Sequence, residues 1–153
     1  MYSNGVLSIM RYAMALLLAL PMSLMSASAD MPGTSVSLTN VYAWTTPDPP
    51  AIVNGPPYAV QIGEMVQTLW TMTGVGPGSL YGYWRLNGRY QYAISVDNVL
   101  GAPPGEIWVV HVPLSTTGLE DDDVVTIVVG KHIGPGCDLE GSVNVTVRAA
   151  NDG

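Results

Sequence analysis

The chain has 153 residues, enough for one domain with its own apolar core. Only 11% of them are charged, against a usual figure of about 25%, and twelve acidic residues face five basic ones for a net charge of −7. Nucleic acid and anionic membrane surfaces would repel such a chain, so neither is an expected partner.

The first expected element is an export signal over residues 1–29. Arg11 supplies the positive start, Tyr12 to Met25 is an apolar run broken by Pro21, and Ala27-Ser28-Ala29 is a small-residue cleavage site. The run is shorter than the ~20 residues a bilayer span needs, and Pro21 would kink a permanent helix. Met10, directly before Arg11, is an alternative start that leaves the signal whole. No cysteine lies near the cut and no apolar tail follows Arg148, so no lipid anchor is expected. The mature product begins at Asp30 and is expected outside the cytoplasm, as a secreted, extracellular or periplasmic protein. It keeps Arg85, Arg89, Lys131 and Arg148 against all twelve acids, a net charge of −8. Cys137 has no intramolecular partner, so it is either a buried thiol or a bridge to another chain.

Residues 30–153 read as one domain: an N-terminal strand and proline-rich loop over 30–57, then a β-sandwich body over 58–153. Val36 to Trp44 alternates, with Val36, Leu38, Tyr42 and Trp44 expected on one side. Thr46 to Pro57 holds five prolines and is expected to be an extended loop. Tyr58 to Ile62 and Met65 to Met72 read as strands separated by Gly63-Glu64. Leu80 to Leu86 and Arg89 to Val96 flank Asn87-Gly88, the residue pair that a tight type I′ hairpin demands. Glu106 to Val112 and Val124 to Val129 are apolar strands on either side of the acidic Glu120 to Asp123. The last strand turns Val143, Val145 and Val147 one way and Ser142, Asn144, Thr146 and Arg148 the other. Seven to eight short strands without a convincing helix predict an all-β fold, an antiparallel immunoglobulin-like β-sandwich. A small barrel is the alternative.

The stretch Tyr58-Ala-Val-Gln-Ile-Gly-Glu-Met-Val-Gln-Thr-Leu-Trp70, its glycine-rich turn, Asn87-Gly88, Gly105-Glu106 and Val124 to Gly130 together resemble the CARDB-type adhesion modules of bacteria and archaea. The resemblance spans Tyr58 to Arg148. Thr73-Gly74-Val75-Gly76 stands where such modules often carry Asn-x-Gly. It implies a non-enzymatic adhesion domain of sandwich architecture.

A two-residue hairpin loop sets the expected pairing Leu86 to Arg89, Arg85 to Tyr90, Tyr83 to Tyr92 and Tyr81 to Ile94. That register gathers Tyr81, Tyr83, Arg85, Tyr90 and Tyr92 on one face as a flat aromatic platform. Tyrosines and arginine suit a sugar ring or a protein partner; they are also ordinary cross-strand pairs. Glu120, Asp121, Asp122 and Asp123 are hard oxygen ligands of the kind Ca²⁺ takes, with Asp97, Asp138 or Glu140 as further candidates. The spaced Asp-x-Asp-x-Asp-Gly pattern is missing, so a solvated turn and no metal site is expected. His111 is expected on the outer side of its strand and His132 in a loop; with Cys137 they have no recurrent metal spacing. No nucleophile motif is present, so an enzyme and a cofactor are not expected. Two functions follow. One is a recognition or adhesion module that holds a cell-surface glycan or protein through the tyrosine face. The other is a structural subunit of a filament or surface layer, joined to copies of itself when Val36, Leu38, Tyr42 and Trp44 add as a strand to a neighbour.

Overall fold

The computed structural model describes residues 33–151. The export signal and its cleavage site lie outside the described residues. Eleven strands follow one another: β1 (Ser35–Trp44), β2 (Ala51–Ile52), β3 (Tyr58–Gln61), β4 (Met65–Thr73), β5 (Leu80–Leu86), β6 (Arg89–Ile94), β7 (Val96–Asn98), β8 (Glu106–His111), β9 (Leu114–Ser115), β10 (Val124–Gly134) and β11 (Cys137–Arg148). They form two sheets, ordered β2-β1-β4-β8-β7 with β9 beside β4, and β3-β11-β10-β5-β6. Every pairing is antiparallel except β3 with β11. This is the expected all-β, two-sheet sandwich, with eleven strands in place of seven to eight and one parallel pair.

Strand alternation builds the core. On β4, Val66, Thr68, Trp70 and Met72 point inward; on β11, Val143, Val145 and Val147 do so as expected. Val125, Ile127 and Val129 of β10 and Val109 of β8 close the space between the sheets. Each such side chain contributes about 1.5–3 kcal/mol by leaving water.

Four local expectations are corrected. On β1 the register slips between Leu38 and Asn40, so a bulge at Thr39 reverses the faces: Val36 and Leu38 pack inward, then Val41 and Ala43 do, while Tyr42 and Trp44 face out. Inside the proline-rich loop, Ala51 and Ile52 fold back as β2 onto Ala43 and Tyr42. The expected Arg89 to Val96 strand breaks at Ser95, where the chain leaves one sheet as β6 and joins the other as β7. His111 points into the core and is fully buried, because it continues the inward alternation of Val109.

Candidate functional site

The tyrosine face grows from the β5–β6 hairpin. Asn87 and Gly88 take φ of 49° and 80°, and Leu86 pairs with Arg89 and Arg85 with Tyr90 as expected. Beyond that point β6 has one residue more than β5: Tyr83 pairs with Ala93 and Gly82 with Ile94. The extra residue corrects the expected Tyr83–Tyr92 and Tyr81–Ile94 pairs and puts Tyr90 and Tyr92 on opposite faces. Tyr90 stays beside Tyr83, ring centroids 5.7 Å apart. Tyr92 turns to the Trp84 side and meets that indole edge-on at 5.4 Å and 84°. It is therefore not part of the platform.

The outer face holds Tyr81, Tyr83, Arg85 and Tyr90. The Arg85 guanidinium lies 5.4 Å from the centre of the Tyr83 ring and donates to its hydroxyl at 3.2 Å. Tyr90 is 60% exposed, so its ring is open to a partner. At the other end Tyr81 lies across Gly130, where a Cβ would come within 2.4 Å of the ring. It stacks on His132 at 4.6 Å and donates its hydroxyl to Glu140 Oε1 at 2.6 Å. Burial, and then the bond and charge of Glu140, push the Tyr81 phenol well above its ordinary value. His132 in turn sits 2.6 Å from Asp138 through Nδ1. It lies on β10, not in a loop, because that strand runs on to Gly134 instead of ending at Val129. The signal was present in the sequence: Val128, Gly130 and His132 share the parity that pairs with Tyr83 and Tyr81.

The arrangement is a strip of three phenol rings and an imidazole, with a guanidinium at one end and two carboxylates at the other. It offers flat apolar surface for stacking and both donors and acceptors at its margins.

The acidic turn is built differently. Asp123 accepts the Glu120 N–H at 2.8 Å and the Asn87 side-chain amide at 2.8 Å, and those bonds hold its carboxyl below the usual carboxylate range. Asp122 pairs with Arg148, and Asp121 accepts the Ala149 N–H at 2.8 Å. Three carboxylates thus fasten this turn to the hairpin and to the end of β11. Asp138 and Glu140 do not approach them; they pair with His132 and Gly130, toward the opposite end of β10. Asp97 lies in the other sheet, opposite Val110. No group of three His, Cys, Asp or Glu side chains placed to hold a metal ion occurs among the described residues.

Val36, Leu38, Tyr42 and Trp44 remain on one strand but on two faces. Tyr42 and Trp44, with Ile52, Leu69, Trp108 and Val110, give the outer side of their sheet an apolar surface that sequence reasoning missed. A cleft of about 780 Å³ opens where the chain crosses between sheets, with Ala43, Ala51, Val53 and Ala59 on its walls and Glu64 and Arg148 at its rim. No protein-family model matches the chain, and no curated protein matches it in sequence.

Proposed function

We propose that this chain is an exported, non-enzymatic recognition module of the adhesion type, and that its Tyr81, Tyr83, Arg85 and Tyr90 face holds a cell-surface glycan or protein. The observation that carries the reading is the open Tyr83–Tyr90 pair with Arg85 lying over Tyr83. Phenol faces stack on the C–H faces of sugar rings, while phenol, guanidinium and carboxylate margins hydrogen-bond hydroxyls. The same residue types dominate protein interface hot spots. With the export signal removed, a net charge of −8 directs it away from anionic surfaces.

Glycan arrays and whole-cell binding with the wild type, Tyr83→Ala and Tyr90→Ala test it. Binding by the wild type that drops in both variants supports the reading. Binding that survives both changes places the ligand elsewhere.

The second reading is a filament or surface-layer subunit that gives Val36 to Trp44 to a neighbour. It draws on the outer edge of β1, which β2 and Val53 cover from Val41 to Ala43. Donation requires the nine-position pairing of β1 with β4 to form between chains instead of within one. Deleting Val36 to Trp44 and following self-association by light scattering checks this reading.

A further inference from the structure

One sequence pattern is left unused by the recognition reading: Asn144-Val145-Thr146. Asparagine, any residue but proline, then serine or threonine is the acceptor pattern for N-linked sugar on exported chains. No other asparagine in the chain is followed this way. A three-residue pattern arises easily by chance, so its surroundings decide whether it is usable. Asn144 is exposed on the outer side of β11, because Val143 and Val145 take the inward positions. Thr146, two residues on, shares that outer side. Cross-strand pairing sets Thr126 of β10 beside Asn144, and the Thr126 hydroxyl donates to Asn144 Oδ1 at 2.7 Å. The carbonyl of the amide is thus held toward β10. The planar amide turns Nδ2 the other way, to the side where no described strand pairs with Asn144, since β3 begins its pairing at Val145. Among the described residues Nδ2 has no hydrogen-bond partner. Asn144 and Thr146 also line a groove of about 440 Å³, together with Pro56, Pro57 and Tyr58.

We infer that Asn144 is a modification site whose Nδ2 carries an N-linked glycan emerging along this groove. Proline rings and a phenol are flat apolar surfaces of the kind on which the C–H face of a sugar packs. The linkage leaves the Asn144 carbonyl intact, so the bond from Thr126 survives and holds the stem of the glycan in place. The transfer needs a sugar carried on a lipid-linked diphosphate, the donor that glycosylating cells supply to exported chains. Nδ2 bonds to the anomeric carbon, the bond from that carbon to the diphosphate oxygen breaks, and the diphosphate leaves with the electron pair. One amide proton passes to a base of the transferring enzyme.

Such a transfer requires export, so the site rests on that part of the proposed function and is independent of ligand binding at the tyrosine face. It bears on that face all the same. Asn144, Thr126, Arg85 and Tyr90 form one row across the outer side of their sheet. Two strand spacings put the stem of the glycan roughly 10 Å from Arg85. The sugar therefore borders the recognition face on its β11 side and leaves the Tyr90 side open.

Secretion of the full-length sequence from a eukaryotic cell line, with intact mass measured before and after peptide N-glycosidase, tests the assignment. Wild type, Asn144→Gln, Thr146→Val and Thr146→Ser are compared, and circular dichroism verifies that each is folded. The wild type is expected at the mass of residues 30–153 plus one glycan, which the glycosidase removes. Asn144→Gln and Thr146→Val should lack the glycan, and Thr146→Ser, which keeps the hydroxyl, should retain it. A wild type that has lost residues 1–29 and carries no glycan overturns the assignment and leaves the export reading standing. A wild type retained in the cell with residues 1–29 attached overturns the export reading, and the assignment with it. A glycan that survives Asn144→Gln also overturns the assignment, because the sugar then lies elsewhere.

Discussion

His111 Nδ1 takes the backbone N–H of Thr68 at 2.8 Å, at the point where β4 changes partners. Pairing with β8 ends at Leu69–Val110, and pairing with β9 resumes at Val66–Leu114. The imidazole fills the gap as a substitute for backbone: Nδ1 accepts from Thr68, which leaves Nε2 to donate to the Val66 carbonyl at 3.1 Å. Thr68 Oγ1 lies 2.8 Å from the same ring nitrogen and accepts the Trp70 indole N–H at 2.7 Å. A buried polar chain of three residues therefore joins two β4 side chains to β8, and every member has a partner.

This geometry predicts an acid-side loss of stability. Burial pushes His111 down from its ordinary 6.5 to about 4, so the ring is neutral in the folded chain. The unfolded chain gains a proton near pH 6.5 that the folded one refuses. Stability is thus complete above pH 6.5, falls as pH drops from there to about 4, and loses nothing further from this group below that value, a total of roughly 3 kcal/mol. Urea unfolding at intervals between pH 7.5 and 4.5 should show the decline. His111→Gln should flatten that slope and lower stability at neutral pH by about 2–4 kcal/mol through the unpaired groups it leaves. A wild-type midpoint that stays level down to pH 5 would sink this account.

The β6 irregularity separates two tyrosines that lie two positions apart in sequence. Tyr92→Ala removes an edge-on contact with Trp84 and should cost about 0.5–1.5 kcal/mol of stability with ligand binding unchanged. Tyr90→Ala removes an exposed ring and should do the reverse, weakening binding by about 1 kcal/mol or more at unchanged thermal midpoint. Thermal unfolding and binding to the same immobilised ligand, measured on both variants, decide it. Equal binding losses for both would restore the regular register, with Tyr92 beside Tyr90.

Most of the sandwich was legible because alternation and turn chemistry are local. Val143, Val145 and Val147 read correctly, as did Asn87-Gly88. What failed were the departures from period two. A single extra residue at Thr39 or within β6 reverses every side chain after it, and neither bulge carries a glycine or other residue that marks it in sequence. Tyr81, Tyr83 and Arg85 share a face as expected because β5 keeps strict alternation, and Tyr90 joins them because it precedes the extra residue of β6; Tyr92 was misplaced because it follows it. His111 was missed for a different reason. Alternation with Val109 turns it inward, but an imidazole is accommodated there only because a break in the β4 ladder supplies its partners, and long-range pairing creates that break.

Asn87 joins two turns, and its loss should reach both. Its side chain donates to Asp123 Oδ1 at 2.8 Å and accepts the Val124 N–H at 2.8 Å, while its backbone holds a positive φ of 49°. Asn87→Ala forfeits both bonds in a conformation that alanine tolerates less well and should cost about 1–2 kcal/mol. Asp123 adds stability that is present above the ordinary carboxylate range and lost as pH falls through its own lowered value. Asp123→Asn should therefore reduce the acid dependence below pH 4. Because the neighbouring carboxylates are engaged with Arg148 and Ala149, added Ca²⁺ should leave the thermal midpoint unchanged. A clear calcium-dependent rise would mean that the turn rearranges to bind the ion.

Gly141 allows a close approach of β11 to Val36 of β1 and Trp70 of β4. A Cβ there would stand 2.6 Å from Val36 Cγ1 and 2.8 Å from the Trp70 ring, both closer than packed atoms come. Neither neighbour has room to withdraw: Trp70 is fully buried and tied through its indole nitrogen to Thr68, and Val36 belongs to a paired stretch of β1. Gly141→Ala should cost about 1–3 kcal/mol from overpacking. Val36→Ala in the same chain opens part of that space, so the double variant should be less destabilised than the two single changes added together. Chemical denaturation of the four proteins measures the coupling. Strict additivity would mean that Val36 does not press on Gly141, and that β1 is seated against the sandwich differently from the arrangement described.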